Sequence, residues 1–255
     1  MNGELALLAL GAAVAGLVQG ISGFAFSMVA MSIWVWGVEP RVATVLAVFG
    51  GLSGQLLSAF TVRRAFDLRV LAPFLAGGLV GIPLGVWAVS HVDAQLFKVG
   101  LGASLVVFCP AMLMAERLPR LHLGSARADR LGDGLAGAIG GVMGGLGGFT
   151  GVVPTLWCTL KAMDKDAQRA VIQNFNLAAL AVTMAAYVAS GAFGAGLLWP
   201  HCAVVLPAII LPNLIGARIY RGLSPLAFRR VVLALLSAAG LVMLMAGVPA
   251  LLARG

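Results

Sequence analysis

Seven long stretches of this chain carry no Asp, Glu, Lys or Arg: residues 5 to 38, 42 to 62, 70 to 92, 99 to 115, 134 to 160, 170 to 217 and 231 to 253. A helix rises about 1.5 Å per residue and a hydrocarbon core is about 30 Å thick, so about 20 apolar residues make one crossing. Most of the stretches match that length. The stretch from 170 to 217 fits two crossings, divided at Ser190-Gly191-Ala192-Phe193-Gly194, where serine and glycine mark a turn. The pattern therefore predicts an all-α, polytopic membrane helix bundle of about eight segments.

The first stretch is too long for one crossing. Residues 5 to 38 would make a helix of about 51 Å, but a break at Gly20 to Gly23 gives pieces of about 24 and 22 Å. A second break falls at Gly144-Gly145-Leu146-Gly147-Gly148, with Pro154 limiting the piece after it. These breaks are also the clearest internal repeat. Gly20-Ile21-Ser22-Gly23-Phe24 sets against Gly145-Leu146-Gly147-Gly148-Phe149 at an offset of 125. Gly85 sets against Gly216, and Phe97-Lys98 against Phe228-Arg229, at an offset of 131. The expected domain is a single membrane unit of two four-segment repeats, residues 4–115 and 130–252, joined by a basic loop, 116–129.

Charge decides how the broken segments run. If every segment crosses, the 17 basic residues divide eight to nine and give no orientation. If each broken segment is a hairpin that enters and leaves on one side, they divide 14 to 3, with Arg41, Lys98 and Arg254 the minority. The positive-inside rule favours that asymmetry, so the expectation is inverted repeats, basic loops in the cytoplasm and both termini outside. Composition agrees with a lipid setting: 61% hydrophobic and 10% charged residues, with a mean hydropathy of +1.02. The pI near 10.5 reflects basic residues flanking apolar spans, so no nucleic-acid surface is expected. Cys109, Cys158 and Cys202 show no CxxC or paired metal spacing, and no cofactor is expected. The start lacks the basic region of a cleaved signal peptide.

Non-helical backbone at membrane depth is tolerated where it is packed in protein or lines a watery cavity, so the two breaks are the candidate pathway. The half-helices that begin near Phe24 and Phe149 present free N–H groups and the positive dipole end, which suits an anion. The candidate substrate-binding residues are Gln19, Gly20, Ser22, Gly23, Phe24, Gly145, Gly147, Gly148, Phe149, Thr150 and Asn174. Ser27 is a further hydroxyl donor, while Gln55, Gln173 and Asn176 read by default as interhelical hydrogen-bonding amides. Arg41 and Arg169 open the segments after the breaks, as anion-recruiting groups at two mouths or as snorkelling side chains. Trp34, Trp36, Trp87, Trp157 and Trp199 read as an interfacial belt. Gly77, Gly78, Gly81 and Gly85 read as a close-packing helix face.

The partners implied are a small anion and the lipid bilayer, and the reading is of a permease rather than an enzyme. Two other readings stand beside it. A passive anion channel uses the same dipoles. An intramembrane serine protease is suggested by the GxSG spacing at Gly20-Ile21-Ser22-Gly23, with His201 as base, although the second half repeats the motif without its serine.

The run Ala15-Gly16-Leu17-Val18-Gln19-Gly20-Ile21-Ser22-Gly23-Phe24-Ala25-Phe26-Ser27, with its counterpart from Gly137 to Phe149, resembles the TauE/SafE family of sulfite exporters over nearly the whole chain. The resemblance implies a multi-pass permease of the bacterial inner membrane for sulfite, sulfonates or related small organic anions. It carries the glycine-phenylalanine clusters over as the pathway.

Overall fold

The computed structural model describes residues 2–61, 67–91, 93–114, 121, 124–190, 195–219 and 225–252. Arg63, Arg64, Arg117, Arg120, Arg221, Arg254, most of the linking loop and the turn expected at 190–194 lie outside the described residues but for Ser190. Among the described residues there are ten helices and no strand: α1 (Asn2–Ser22), α2 (Phe26–Trp34), α3 (Pro40–Thr61), α4 (Leu68–His91), α5 (Ala94–Met114), α6 (Ala126–Gly147), α7 (Val152–Leu160), α8 (Lys165–Ala189), α9 (Ala195–Ile219) and α10 (Pro225–Leu252). Six of them, α1, α3, α4, α5, α8 and α9, are long and apolar enough to cross a membrane. The other two long helices fall short of that measure for different reasons. In α6, Arg127, Asp129, Arg130 and Asp133 and many glycines dilute the apolar residues. In α10 the described apolar run is only Leu236–Pro249.

The first break does not halve its stretch as expected. Helix α1, at 21 residues, is about 31 Å long, whereas the nine residues of α2 reach about 13 Å. Gly20 stays helical because it packs on the neighbouring helix. The helix ends instead at Gly23, whose φ of +84° is a left-handed conformation that costs glycine nothing. Gly148 ends α6 in the same way, with φ +77° and its N–H on Gly144 O at 2.7 Å.

Each short helix then folds back along the long one before it. Trp34, at the end of α2, donates from Nε1 to Leu8 O at 3.3 Å and covers Gly11, and Gly37 lies beside Leu7. In the second half, Trp157 on α7 covers Gly132 and donates to Asp133 Oδ1 at 2.7 Å. Trp34, wholly buried, is thus a hairpin fastener rather than a member of an interfacial belt, and Trp157, half-buried, fastens the second hairpin. Their rings fill the gap that glycine leaves between antiparallel helices. Trp36, Trp87 and Trp199 are exposed, and Lys98 sits 4.1 Å over the Trp36 ring.

Helix α3 runs in the direction of α1. It begins beside Gly37, near Leu7, and its later residues meet the turn: Gln19 Nε2 donates to Gly51 O at 2.9 Å and Gln55 Nε2 to Gly23 O at 2.6 Å. From Gln55 to Thr61 is about 9 Å of helix, so the turn lies within the thickness of the bundle.

The long helices pair through glycine, where backbones approach more closely than side chains would permit. Helix α4 lies along α6 in the same direction: a Cβ on Gly77, Gly81 or Gly85 would come within 1.9, 2.0 or 2.1 Å of the carbonyl oxygens of Gly134, Ala138 and Val142. Gly78 takes the Phe175 ring of α8. Helix α1 lies along α9, also in the same direction, with Gly16 on Ile209, Gly20 on Asn213 and Gly216 on Leu17. Helices α5 and α10 are antiparallel, Gln95 Nε2 donating to Gly247 O at 2.8 Å while Gly102 meets Gly240.

Helices α3 and α8 run in opposite directions. Gln55 and Gln173 both reach Gly23, while Val48 reaches Gly148 and Asn176 reaches Gly151. Hence α1, α3 and α9 point one way, and α4, α6 and α8 the other. Arg69, Arg127, Arg130, Lys161, Arg169 and Arg218 lie towards the face where α1 and α3 end, while Arg41 and Lys98 lie towards the opposite face.

Candidate functional site

The two turns meet in the middle of the bundle. Phe24 Cβ lies 3.1 Å from where a Cβ on Gly151 would stand, and Ser27 Oγ lies 2.4 Å from the equivalent point on Gly148. Gly23, Gly148 and Gly151 are therefore tight contacts between the hairpins as well as turn residues. Because α2 and α7 begin at these turns, their N-termini converge here. Each first turn carries backbone N–H groups without intrahelical acceptors and about half a positive charge.

Polar side chains support the turns from several helices. Ser22 Oγ accepts from the Phe24 and Ala25 N–H groups at 3.4 and 3.2 Å, closing the first turn. Ser27, buried, donates to Ala47 O at 3.3 Å. Thr150 donates to Asn176 Oδ1 at 2.8 Å, and the Asn176 amide also lies against Gly151. Gln173 lies with Nε2 at 3.2 Å from where a Cβ on Gly23 would stand. The environment is buried and uncharged, so the helix ends supply its positive potential.

The candidate residues separate into three groups. Ser22, Gly23, Phe24, Gly148, Phe149 and Thr150 form the turns themselves. Gly20 and Gly145 pack on the backbones of α9 and α4, and Gly147 takes the Phe149 ring. Gln19 is buried and reaches past α1 to Gly51 O, with Gly54 making room for its amide. Asn174 is half-buried, about 100° round α8 from Gln173. Further along α8 Tyr187 donates to Gly145 O, and Gln173 and Asn176 are the two amides turned towards the breaks. Their spacing of three residues is a one-face helical signal present in the sequence, but only the neighbouring helices fix which face points inward.

Ser22 has no histidine partner in His201. The His201 Nε2 lies 3.7 Å from Glu4 Oε1, at the far end of α1, and the 18 residues from Glu4 to Ser22 span about 27 Å of helix. The Ser–His pair required by the protease reading is not assembled.

A family model described as Sulfite exporter TauE/SafE matches residues 8–243, from α1 into α10. The chain belongs to the TauE/SafE family. No curated protein and no solved structure matches it. As a TauE/SafE protein it is a multi-pass membrane protein of a transporter family, and both turns fall within the matched residues.

This TauE/SafE chain also buries a charge that its apolar stretches did not reveal. Asp133, just outside the stretch from 134 to 160, is 5% exposed. Lys161, directly after α7, reaches both of its oxygens at 2.8 and 3.1 Å, and Trp157 supplies a third hydrogen bond. A buried carboxylate needs such partners. The cluster fastens the mouth of the second hairpin, where the first hairpin uses the Leu8 carbonyl and Trp34.

Proposed function

We propose that this protein is a carrier of small anions, among them sulfite, sulfonates or related organic anions, and that it holds them between the two turns. The observation that carries the reading is the convergence of the α2 and α7 N-termini at Gly23, Gly148 and Gly151 in a buried, neutral setting. Two positive helix ends facing one point bind an anion without a buried lysine or arginine. Gln19, Gly20, Ser22, Gly23, Phe24, Gly145, Gly147, Gly148, Phe149, Thr150 and Asn174 remain the proposed pathway, with Ser27, Gln173 and Asn176 added as the polar groups that reach the turns.

The proposed architecture is one membrane domain of eight long segments in two inverted repeats, 4–115 and 130–252, joined by the basic loop 116–129. Its support is the matched order of helix lengths, a long helix, a nine-residue helix and three long helices in each half. Matched contacts support it too. Gly216 meets Leu17 and Gly20 as Gly85 meets Val142 and Gly145, at the offsets of 125 and 131 found in the sequence. The proposed orientation puts the basic face in the cytoplasm and both termini outside, in a bacterial inner membrane. The inverted repeat favours alternating access about a central site over a passive channel.

The test is uptake by purified protein in proteoliposomes of sulfite, sulfoacetate, sulfate, acetate and chloride, beside Gly148→Leu. Saturable uptake of a sulfur oxyanion, lost in the variant, is expected. A correctly folded protein that takes up none of the five refutes the function.

A further inference from the structure

Arg41 on α3 and Arg169 on α8 stand at matching places after the two breaks, yet the structure treats them differently. Arg41 is exposed, whereas Arg169 is half-buried with its Nε atom shielded from solvent. Arg169, Gln173 and Asn176 fall at i, i+4 and i+7, one face of α8. The contacts of that face are known: Gln173 lies at Gly23, and Asn176 bonds Thr150 beside Gly151. Arg169 therefore stands one helical turn below Gln173, on the inward face, nearer the side where the basic residues gather. The same spacing on α3 runs from Arg41 to Val45 and Val48, which are 3% and 0% exposed and apolar. On α8 the polar spacing leads to the turns from the basic face, whereas on α3 the positions at the same spacing are apolar.

We infer that Arg169 is a substrate-binding residue that takes the oxyanion at the basic face and passes it by Gln173 and Asn176 to the turns, with no counterpart on the opposite face. This rests on the anion-carrier reading. A guanidinium presents a planar fork of N–H donors that matches two oxygens of a sulfite or sulfonate group. A halide offers one centre and gains less, so Arg169 also selects oxyanions over chloride. The cationic side chains around it at that face raise the local anion concentration.

The test measures sulfite uptake by membrane vesicles of both orientations. With the basic face outward, Arg169→Gln raises KM about tenfold, equivalent to about 1.4 kcal/mol of binding, and weakens discrimination against chloride. Arg169→Lys, keeping the charge without the fork, lies between. With the opposite face outward, KM is unchanged, and Arg41→Gln changes it from neither face. An Arg169→Gln effect that is absent, or equal from both faces, overturns the inference. Should that variant fail to reach the membrane, Arg169→Lys decides on the same readout. Wild-type protein that takes up no anion from either face overturns the carrier reading and this inference with it, whereas wild-type uptake indifferent to Arg169 overturns this inference alone.

Discussion

Substituting Gly81 by alanine tests the packing of the bundle at a single atom. A Cβ there would lie 2.0 Å from Ala138 O and 2.9 Å from both Ala138 C and Val142 N, all backbone atoms of α6. Ordinary contact begins near 3.4 Å, so α4 and α6 must part by about 1.4 Å at this point. Neither helix can relax locally, because Gly77 and Gly85 make the same contact one turn to either side. Parting there loses dispersion contacts along the whole seam, and overpacking of this kind costs about 1–3 kcal/mol. The assay is thermal unfolding of detergent-purified protein, with Gly100→Ala as control. Nothing lies within 4 Å of a Cβ on Gly100, in the middle of α5, so that variant should match the wild type or exceed it. Equal stability of Gly81→Ala and the wild type would refute the close-packed seam.

Gly148→Ala should abolish uptake, since it adds a left-handed strain of about 1–2 kcal/mol and a clash with Ser27 Oγ at 2.4 Å. Gly23→Ala, with the same strain but only Gln173 Nε2 at 3.2 Å, should retain more, as initial rates in proteoliposomes will report. Lys161→Met strands the buried Asp133 carboxylate and should cost about 3–5 kcal/mol, partly recovered by adding Asp133→Asn, in the same unfolding assay. Thr150→Val deletes the hydroxyl that donates to Asn176 and should reduce stability by about 1 kcal/mol and lower kcat/KM for sulfite.

Much of the fold is legible in the sequence because lipid imposes simple rules. Uncharged runs of crossing length mark the helices, and the glycines at 77, 81 and 85, spaced by four, mark a face that meets another backbone. The breaks are legible as places, but their geometry is not. A run of glycines does not say which one takes positive φ, so Gly20 reads like Gly23 although only Gly23 ends the helix. For the same reason α1 runs on for 21 residues while α2 has only nine.

The site is less legible than the fold, because side chains on α8 acquire meaning only from what α3 and the two hairpins place opposite them. Gln173, Asn174 and Asn176 form one polar run in sequence, and the structure turns two of them to the breaks. Trp34 and Trp157 lie near segment ends, as interfacial tryptophans do, but a hairpin brings a glycine opposite each and buries Trp34 wholly. Asp133 borders its apolar run from outside, and only the return of α7 brings Lys161 and Trp157 to it.

The central claim is that the anion sits between the converging ends of α2 and α7. Selenite, a heavier analogue of sulfite, makes that position visible: crystals of transport-active protein grown with selenite would be measured at the selenium edge. An anomalous peak within hydrogen-bond reach of the Ser27 and Thr150 hydroxyls and the first-turn N–H groups of α2 and α7 is the predicted result. A peak elsewhere, or none in protein that demonstrably transports selenite, would contradict the account.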